Sequence, residues 1–221
     1  MAASRSGIFG EYYGSLFSES EALSESEMKT NADYIYSYFN SKNWTLNACA
    51  ALLANMNAES AINPGRWQSD SVGAAEMGYG LVQWTPATKY LDWCTANGYS
   101  DPSEMDANLA RISYEIENGV QWIPKESFNN MTFSEFANSH ESVSYLTKAF
   151  MLSYERPSDQ SEEAQNNRAL LGEKWLDYLS GSVPQPPSIL KQKKKYNFLL
   201  FQQKRRMKTW TRMNLSKQFR R

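Results

Sequence analysis

Apolar residues recur along most of this 221-residue chain at steps of three and four, the spacing that places side chains on one face of an α-helix. Polar residues fill the positions between them, so the pattern predicts a mainly helical domain. The residues that share a face in successive segments are Met28, Ala32, Ile35 and Phe39; Leu46, Cys49, Leu53 and Met56; Leu91 and Cys94; Met105, Leu109, Ile112 and Ile116; Leu146, Ala149, Phe150 and Ser153; and Leu171, Trp175 and Leu179.

Short polar motifs indicate where several of these helices begin. Ser24 with Glu27, and Thr132 with Glu135, fit the S/T-x-x-E capping box, in which each side chain bonds to the backbone amide of the other residue. Thr85-Pro86 fits a helix cap with proline at the first helical position. We therefore expect a helix to start directly after Ser24, Thr85 and Thr132.

Residues 65–84 interrupt the helical pattern. They contain Gly65, Gly73, Gly78 and Gly80 and show little periodicity. Glycine weakens helices and permits tight turns. We therefore predict an irregular segment after the second helix, with short strands or a hairpin.

Charge divides the chain near residue 183. Of the 23 Lys and Arg residues, 12 lie in residues 184–221, which hold no Asp or Glu, so 11 basic and 24 acidic residues remain before them. The junction is rich in Ser, Gly and Pro, a composition typical of linkers. The predicted divisions are an N-terminal extension at 1–23, a folded domain at 24–180, a linker at 181–190 and a basic, disordered tail at 191–221.

Composition excludes several classes of protein. No apolar run reaches the roughly 18 residues that span a membrane, and the acidic, Ser-rich start does not resemble a secretory signal. Cys49 and Cys94 cannot make a disulfide framework or a four-ligand zinc site, and we expect both to be buried. His140 is the single histidine, and we expect it at the surface. We therefore expect no metal, no cofactor and no membrane span.

Glu59 is the most informative titratable residue. It follows Met56 by three positions and Leu52 by seven, which places it near the apolar face and at the C-terminal end of its helix. Burial and the negative end of the helix dipole both raise a carboxyl pKa, as a general acid requires. The alternative is an ordinary glutamate in solvent at a helix end.

Two motifs around Glu59 favour the catalytic interpretation. The block Glu59–Pro64 reads E-S-x-x-N-P, and Gly78–Gln83 reads G-x-G-L-x-Q. Together they resemble the lysozyme-like lytic transglycosylases, in which the glutamate is the acid/base and the glutamine loop faces the sugar. By this resemblance Glu59 is the general acid.

Further motifs resemble the phage tail lysozyme family over roughly residues 29–180. They are Trp67–Asp70, Gly80–Tyr90 and Ser153–Pro157. The resemblance implies a lysozyme-like α+β fold and a muramidase that cuts the bond between N-acetylmuramic acid and N-acetylglucosamine in peptidoglycan. It also implies action at the virion tail tip beside other tail proteins, or in the host cytoplasm before release as an endolysin.

A second carboxylate usually assists glycoside cleavage. Asp70 is the first candidate, since it lies in the glycine-rich segment after Glu59, and a turn-forming aspartate is the alternative. Glu76 is a weaker candidate. Some lysozyme-like enzymes instead use the acetamido group of the substrate, which would make Asp70 dispensable.

Several polar and aromatic residues are candidate substrate contacts. Gln83 and Tyr79 are expected to orient the sugar or water, although Gln83 also suits a loop-capping amide. Trp84 and Trp67 could stack on sugar rings or belong to the core. Tyr154 resembles the tyrosine that approaches the glutamate in lytic transglycosylases.

Glu155 follows Tyr154 and is the last candidate substrate contact. The alternative pairs it with Arg156 in a buried ion pair at the helix end. The two interpretations have equal support in the sequence.

The remaining alternatives concern function. A catalytically inactive peptidoglycan-binding module of the tail tip is the main competitor, and the choice between hydrolase and lytic transglycosylase is open. The tail alternates cationic clusters with aromatic residues, a pattern that suits polyanions such as teichoic acid, anionic membrane or nucleic acid. A solvated arm, or the start of a further domain, is the other interpretation of the tail.

Overall fold

The computed structural model describes residues 2–14 and 22–182 of the chain. Contacts divide the chain between Ser180 and Gly181. The predicted linker after residue 182 and the basic tail lie outside the described residues.

Helices make up most of the described chain, as the periodicity predicts. They are α1 (Glu25–Ser41), α2 (Leu46–Ser60), α3 (Thr88–Ala96), α4 (Met105–Asn118), α5 (Phe133–Ala137), α6 (Val143–Phe150) and α7 (Glu162–Ser182). A π-helical turn, Met151–Glu155, continues α6 directly. Short 3-10 turns cover Gln68–Asp70 and Glu126–Phe128.

Helix α2 is the centre of the domain, with α1, α5 and α6 packed around it. Every residue from 48 to 56 is buried, whichever side of the helix it faces. Four of these residues are alanines, whose small side chains let neighbouring helices approach closely. The last turn of α2 emerges from this core and carries Glu59.

The capping boxes at Ser24 and Thr132 are both present. The expected cap at Thr85 is wrong, because α3 begins later, at Thr88. The Thr85–Pro86 peptide bond is cis, and the Thr85 hydroxyl donates to the carbonyl of Gln83 at 2.9 Å. Thr85 therefore belongs to the glycine-rich loop.

An antiparallel hairpin of β1 (Ala3–Gly7) and β2 (Gly10–Gly14) precedes the helices. Its Tyr12 side chain is buried in the core. The Asn31 side chain on α1 accepts from the backbone amide of Tyr13 at 2.6 Å and donates to its carbonyl at 2.8 Å. These bonds extend the edge of β2 onto α1. The hydrophobic pattern gave no sign of the hairpin.

The glycine-rich segment forms only isolated β-bridges, between Trp67 and Tyr79 and between Tyr79 and Trp84. The segment is therefore irregular, as predicted, and its strand-like pairing is limited to these isolated bridges. Hydrogen bonds from side chains of neighbouring helices hold the segment in place of the backbone hydrogen bonds of a β-sheet. The loop carbonyl of Leu81 accepts from Ser60 Oγ at 2.8 Å, and its amide donates to Asn108 Oδ1 at 3.0 Å. The loop is thus attached to α2 and α4.

Gly80 permits this attachment. Its φ is +83°, and a Cβ built on it would lie 2.7 Å from Asn108 Oδ1 and 2.9 Å from the Trp84 ring. Both the backbone angle and the close approach require glycine at this position.

We predict that Gly80→Ala destabilises the fold more than Gly98→Ala. Gly98 has a similar φ of +80°, but a Cβ added there would meet nothing within 4 Å, so alanine costs only the left-handed backbone, about 1–2 kcal/mol. At Gly80 the added clash should raise the loss by about 1–3 kcal/mol. Urea unfolding of both variants measures the difference, and equal losses would contradict the close packing.

Candidate active site

Glu59 lies in the last turn of α2, with its side chain one-fifth exposed. Its Oε1 atom accepts a hydrogen bond from Arg168 Nη2 on α7, and the two form a salt bridge. Arg168 also donates from Nη1 to Asn55 Oδ1 at 2.9 Å. Asn55 is fully buried on α2, and its amide donates to the carbonyls of Ala51 and Thr147. A fixed amide thus holds the guanidinium against Glu59.

The predicted position of Glu59 at the helix end is observed, whereas its basic partner was not expected. Arg168 lies among polar residues far along the chain, and nothing in its local pattern indicates that it returns to α2. The sequence does single out Asn55, because it is a polar residue three positions after Leu52 and so lies on the apolar face of the helix.

A second carboxyl group, Glu115 on α4, is completely buried behind the glycine-rich loop. It accepts hydrogen bonds from Trp84 Nε1 at 2.9 Å, Arg111 Nε at 2.9 Å and the Tyr154 hydroxyl. Burial raises the pKa of Glu115, and the three donors and the Arg111 charge act against that rise. The cluster joins the loop, α4 and the π-helical turn. The sequence gives one indication of this burial, because Glu115 follows the apolar Ile112 by three positions and so shares its face of the helix.

Two candidate substrate contacts belong to this buried cluster. Trp84 is only 2% exposed and Tyr154 is fully buried. The Tyr154 hydroxyl bonds to Glu115 rather than to Glu59. Their burial argues against contact with a sugar, and their hydrogen bonds tie the loop and the π-helical turn to Glu115.

Tyr79, a further candidate, is 3% exposed and packs between aromatic rings. Its ring centroid lies 4.5 Å from that of Trp67 and 6.0 Å from that of Tyr90. This burial argues against a polar contact from Tyr79 to substrate. Trp67 is partly exposed and keeps a surface that a sugar could reach.

Gln83 uses its side-chain amide inside the loop. The Nε2 atom donates to the carbonyls of Arg66 at 3.1 Å and Gly80 at 2.9 Å. This is the loop-capping arrangement that was the alternative to substrate contact. Gln83 is partly exposed, so its other atoms remain near the loop surface.

Asp70 ends the 3-10 turn Gln68–Asp70, within the predicted segment. Its side chain lies outside what the structure describes. Glu76, the weaker candidate, is exposed, and His140 is exposed as expected.

Glu155 is the last residue of the π-helical turn. The residue is partly exposed, yet its Oε1 atom is buried and has no hydrogen-bond partner among the described residues. Burial, followed by the negative charge of Glu59, raises the pKa of Glu155 well above its usual value. Arg156 donates from Nη1 to the carbonyls of Gln121 and Ser153, at 2.7 and 2.6 Å. The guanidinium bonds therefore go to backbone rather than to Glu155.

The described part of the chain shows neither a cluster of metal-ligating side chains nor a membrane-spanning helix. No group of three or more His, Cys, Asp or Glu side chains there is placed to hold a metal ion. Cys49 and Cys94 are buried and free, and burial raises the pKa of both thiols. None of the described helices combines the length and apolarity needed to cross a membrane.

Comparison with known proteins agrees with this architecture. The sequence model of the phage tail lysozyme family matches residues 30–179, which is most of the folded domain. The chain belongs to this family.

A curated relative, morphogenesis protein 1 of Bacillus phage B103, is 44% identical over 165 residues. The match covers 75% of this chain but only 43% of the relative. The chain therefore spans less than half the length of that protein.

We predict that Tyr154→Phe destabilises the fold, whereas Tyr145→Phe does not. Tyr154→Phe removes a donor from the buried Glu115 carboxyl and should cost about 1–3 kcal/mol. The Tyr145 hydroxyl is buried without a hydrogen-bond partner among the described residues, so its removal should be neutral or stabilising. Chemical denaturation measures the free energy of unfolding of both variants. Equal changes would contradict a stabilising role for the hydrogen bond from Tyr154 to Glu115.

Proposed function

We propose that the chain is a peptidoglycan-degrading muramidase that cleaves the bond between N-acetylmuramic acid and N-acetylglucosamine, with Glu59 as general acid. The observation that carries the proposal is the position of Glu59. It stands partly exposed at the end of a buried helix, directly before the glycine-rich loop, in a chain of the phage tail lysozyme family.

The acid step follows from the chemistry of glycosides. Glu59 gives its proton to the oxygen of the leaving sugar as the glycosidic bond breaks. The proton transfer leaves Glu59 as an anion, which its existing contact with the Arg168 guanidinium stabilises. Because Asn55 already holds the guanidinium in place, little reorganisation accompanies the developing charge.

The second carboxylate in this proposal is Asp70, which would stay ionised near the positive charge that develops on the sugar ring. Trp67 and Gln83, both partly exposed, lie in the same loop and are proposed to contact the saccharide. No metal or cofactor takes part in the step.

The biological setting is a phage tail. The relative is named a morphogenesis protein, which suits a virion component that opens the cell wall beside other tail proteins. Release from the host cytoplasm as an endolysin is the other route. The basic segment after residue 183 is proposed to bring the domain to polyanions of the wall.

A second function remains in competition because the relative carries a morphogenesis name and no enzymatic one. In that case the domain would bind peptidoglycan, or support tail assembly, without cleaving it. Wall cleavage by the wild-type chain separates the two functions.

We predict that Glu59→Gln lowers the rate of wall cleavage by about 10² to 10⁴. The amide keeps the size of the side chain and can still bond to Arg168 but cannot donate the acidic proton. Dye release from labelled cell walls measures the rate. Glu173→Gln is the matched control, since Glu173 is an exposed residue on α7, and it should cleave like the wild type. A folded Glu59→Gln variant with normal activity would exclude the mechanism.

Asp70→Asn tests the second carboxylate. If Asp70 stabilises the sugar cation, kcat should fall nearly as far as in Glu59→Gln, with KM little changed. A loss below about tenfold, or about 1.4 kcal/mol of barrier, would instead assign this step to the acetamido group of the substrate.

A further inference from the structure

The chain reverses direction directly after the last turn of α2, through two residues with strained backbones. Ala61 has a φ of +53° and Ile62 a φ of +58°, both in the left-handed region that favours glycine. Isoleucine is β-branched, so a positive φ at Ile62 is a genuine outlier. Such a conformation persists only where contacts from the surrounding structure hold it. The path of the chain just after Glu59 therefore depends on what holds Ile62.

Asn31 on α1 holds this turn from outside α2. Its Nδ2 atom donates to the carbonyl of Ile62 at 2.8 Å. The same side-chain amide bonds to the backbone N–H and the carbonyl of Tyr13 on β2, at 2.6 and 2.8 Å. Asn31 is fully buried, and its oxygen and both of its N–H groups are used in these three bonds. One side chain thus joins the N-terminal hairpin to the turn.

The hairpin also lies against the segment that follows the turn. A Cβ built on Gly14, at the end of β2, would lie 3.7 Å from Pro64 Cγ. From α4, Asn108 donates to the Pro64 carbonyl at 3.3 Å and accepts from the Leu81 amide at 3.0 Å. The hairpin, the turn and the glycine-rich loop are therefore one connected set of contacts around the end of α2.

We propose that Asn31 is a positioning residue for the muramidase step. By joining the hairpin to the Ile62 carbonyl, it fixes the turn after Glu59 and thereby the placement of the glycine-rich loop relative to that acid. The inference rests on the proposed function and extends the site to the hairpin, which lies outside the residues 30–179 that the family model matches. A displacement of about 1 Å at a reacting group can cost about 10²-fold in rate, so a loosened turn should slow the chemical step.

Asn31→Ala tests the proposal by separating kcat from KM on soluble glycan strands. The variant loses the bond to Ile62, so kcat should fall about ten- to a hundredfold, with KM little changed. Tyr34→Phe is the matched control. Tyr34 is also buried on α1, and its hydroxyl donates to Asp106 Oδ1 at 2.6 Å, so its loss weakens the packing of the same helix but leaves the turn in place. It should keep the wild-type kcat. Equal kcat values in the two folded variants would overturn the positioning role.

Tyr13→Pro reaches the same contacts without changing Asn31, and it decides the question if Asn31→Ala does not fold. Proline removes the N–H that donates to Asn31 Oδ1. Both backbone groups of Tyr13 face α1, so the hydrogen bonds between β1 and β2 are kept. We expect kcat to fall several-fold, less than in Asn31→Ala, because the bond to Ile62 remains. A folded Tyr13→Pro chain with the wild-type kcat would overturn the proposal.

Amide hydrogen exchange in the full chain tests the turn without wall cleavage. The Ala61 and Ile62 amides both donate to carbonyls of α2, so their exchange reports on the turn. Compared with amides at the buried centre of α2, they should exchange about tenfold faster in Asn31→Ala and at the wild-type rate in Tyr34→Phe. Unchanged exchange in Asn31→Ala would overturn the proposal. Faster exchange in a chain whose wild type leaves cell walls intact would uphold the bridge to the turn and reject the muramidase function.

Discussion

Three hydrogen-bond donors converge on the buried carboxyl of Glu115, one each from the glycine-rich loop, α4 and the π-helical turn. A buried carboxylate is costly unless it is fully bonded, so the loss of any donor penalises the whole arrangement. The three segments must therefore keep their relative positions. Because the Leu81 carbonyl of the loop accepts from Ser60 at the end of α2, this constraint also fixes the loop next to Glu59.

Helix α2 is the second element that positions Glu59. Its centre, residues 48 to 56, is buried, its final turn reaches towards solvent, and the loop is tied to that turn through Ser60 and Leu81. Glu59 therefore sits at the junction of a rigid helix and a braced loop. Arg168 completes the site from α7, the last helix of the domain, and Asn55 holds it in place.

Local patterns predict the features that depend on nearby residues. The helices and both capping boxes follow from spacing within a few positions, and the helix-end location of Glu59 does too. Contacts across the chain leave no such signal. The Arg168 salt bridge joins residues 109 positions apart, and the Tyr154–Glu115 bond joins residues 39 apart. Trp84 and Tyr79 resemble sugar contacts because an aromatic loop residue and a core residue look alike in sequence.

Cleavage of the glycan strand through Glu59 is the central proposal for this domain, and mass spectrometry of digested cell walls tests it most directly. Purified wild-type chain should release fragments ending in N-acetylmuramic acid, as a reducing sugar for a hydrolase or a 1,6-anhydro sugar for a lytic transglycosylase. The Glu59→Gln chain should release neither. Glycan strands that stay intact after treatment with folded wild-type protein would contradict this mechanism and favour a binding role in the tail.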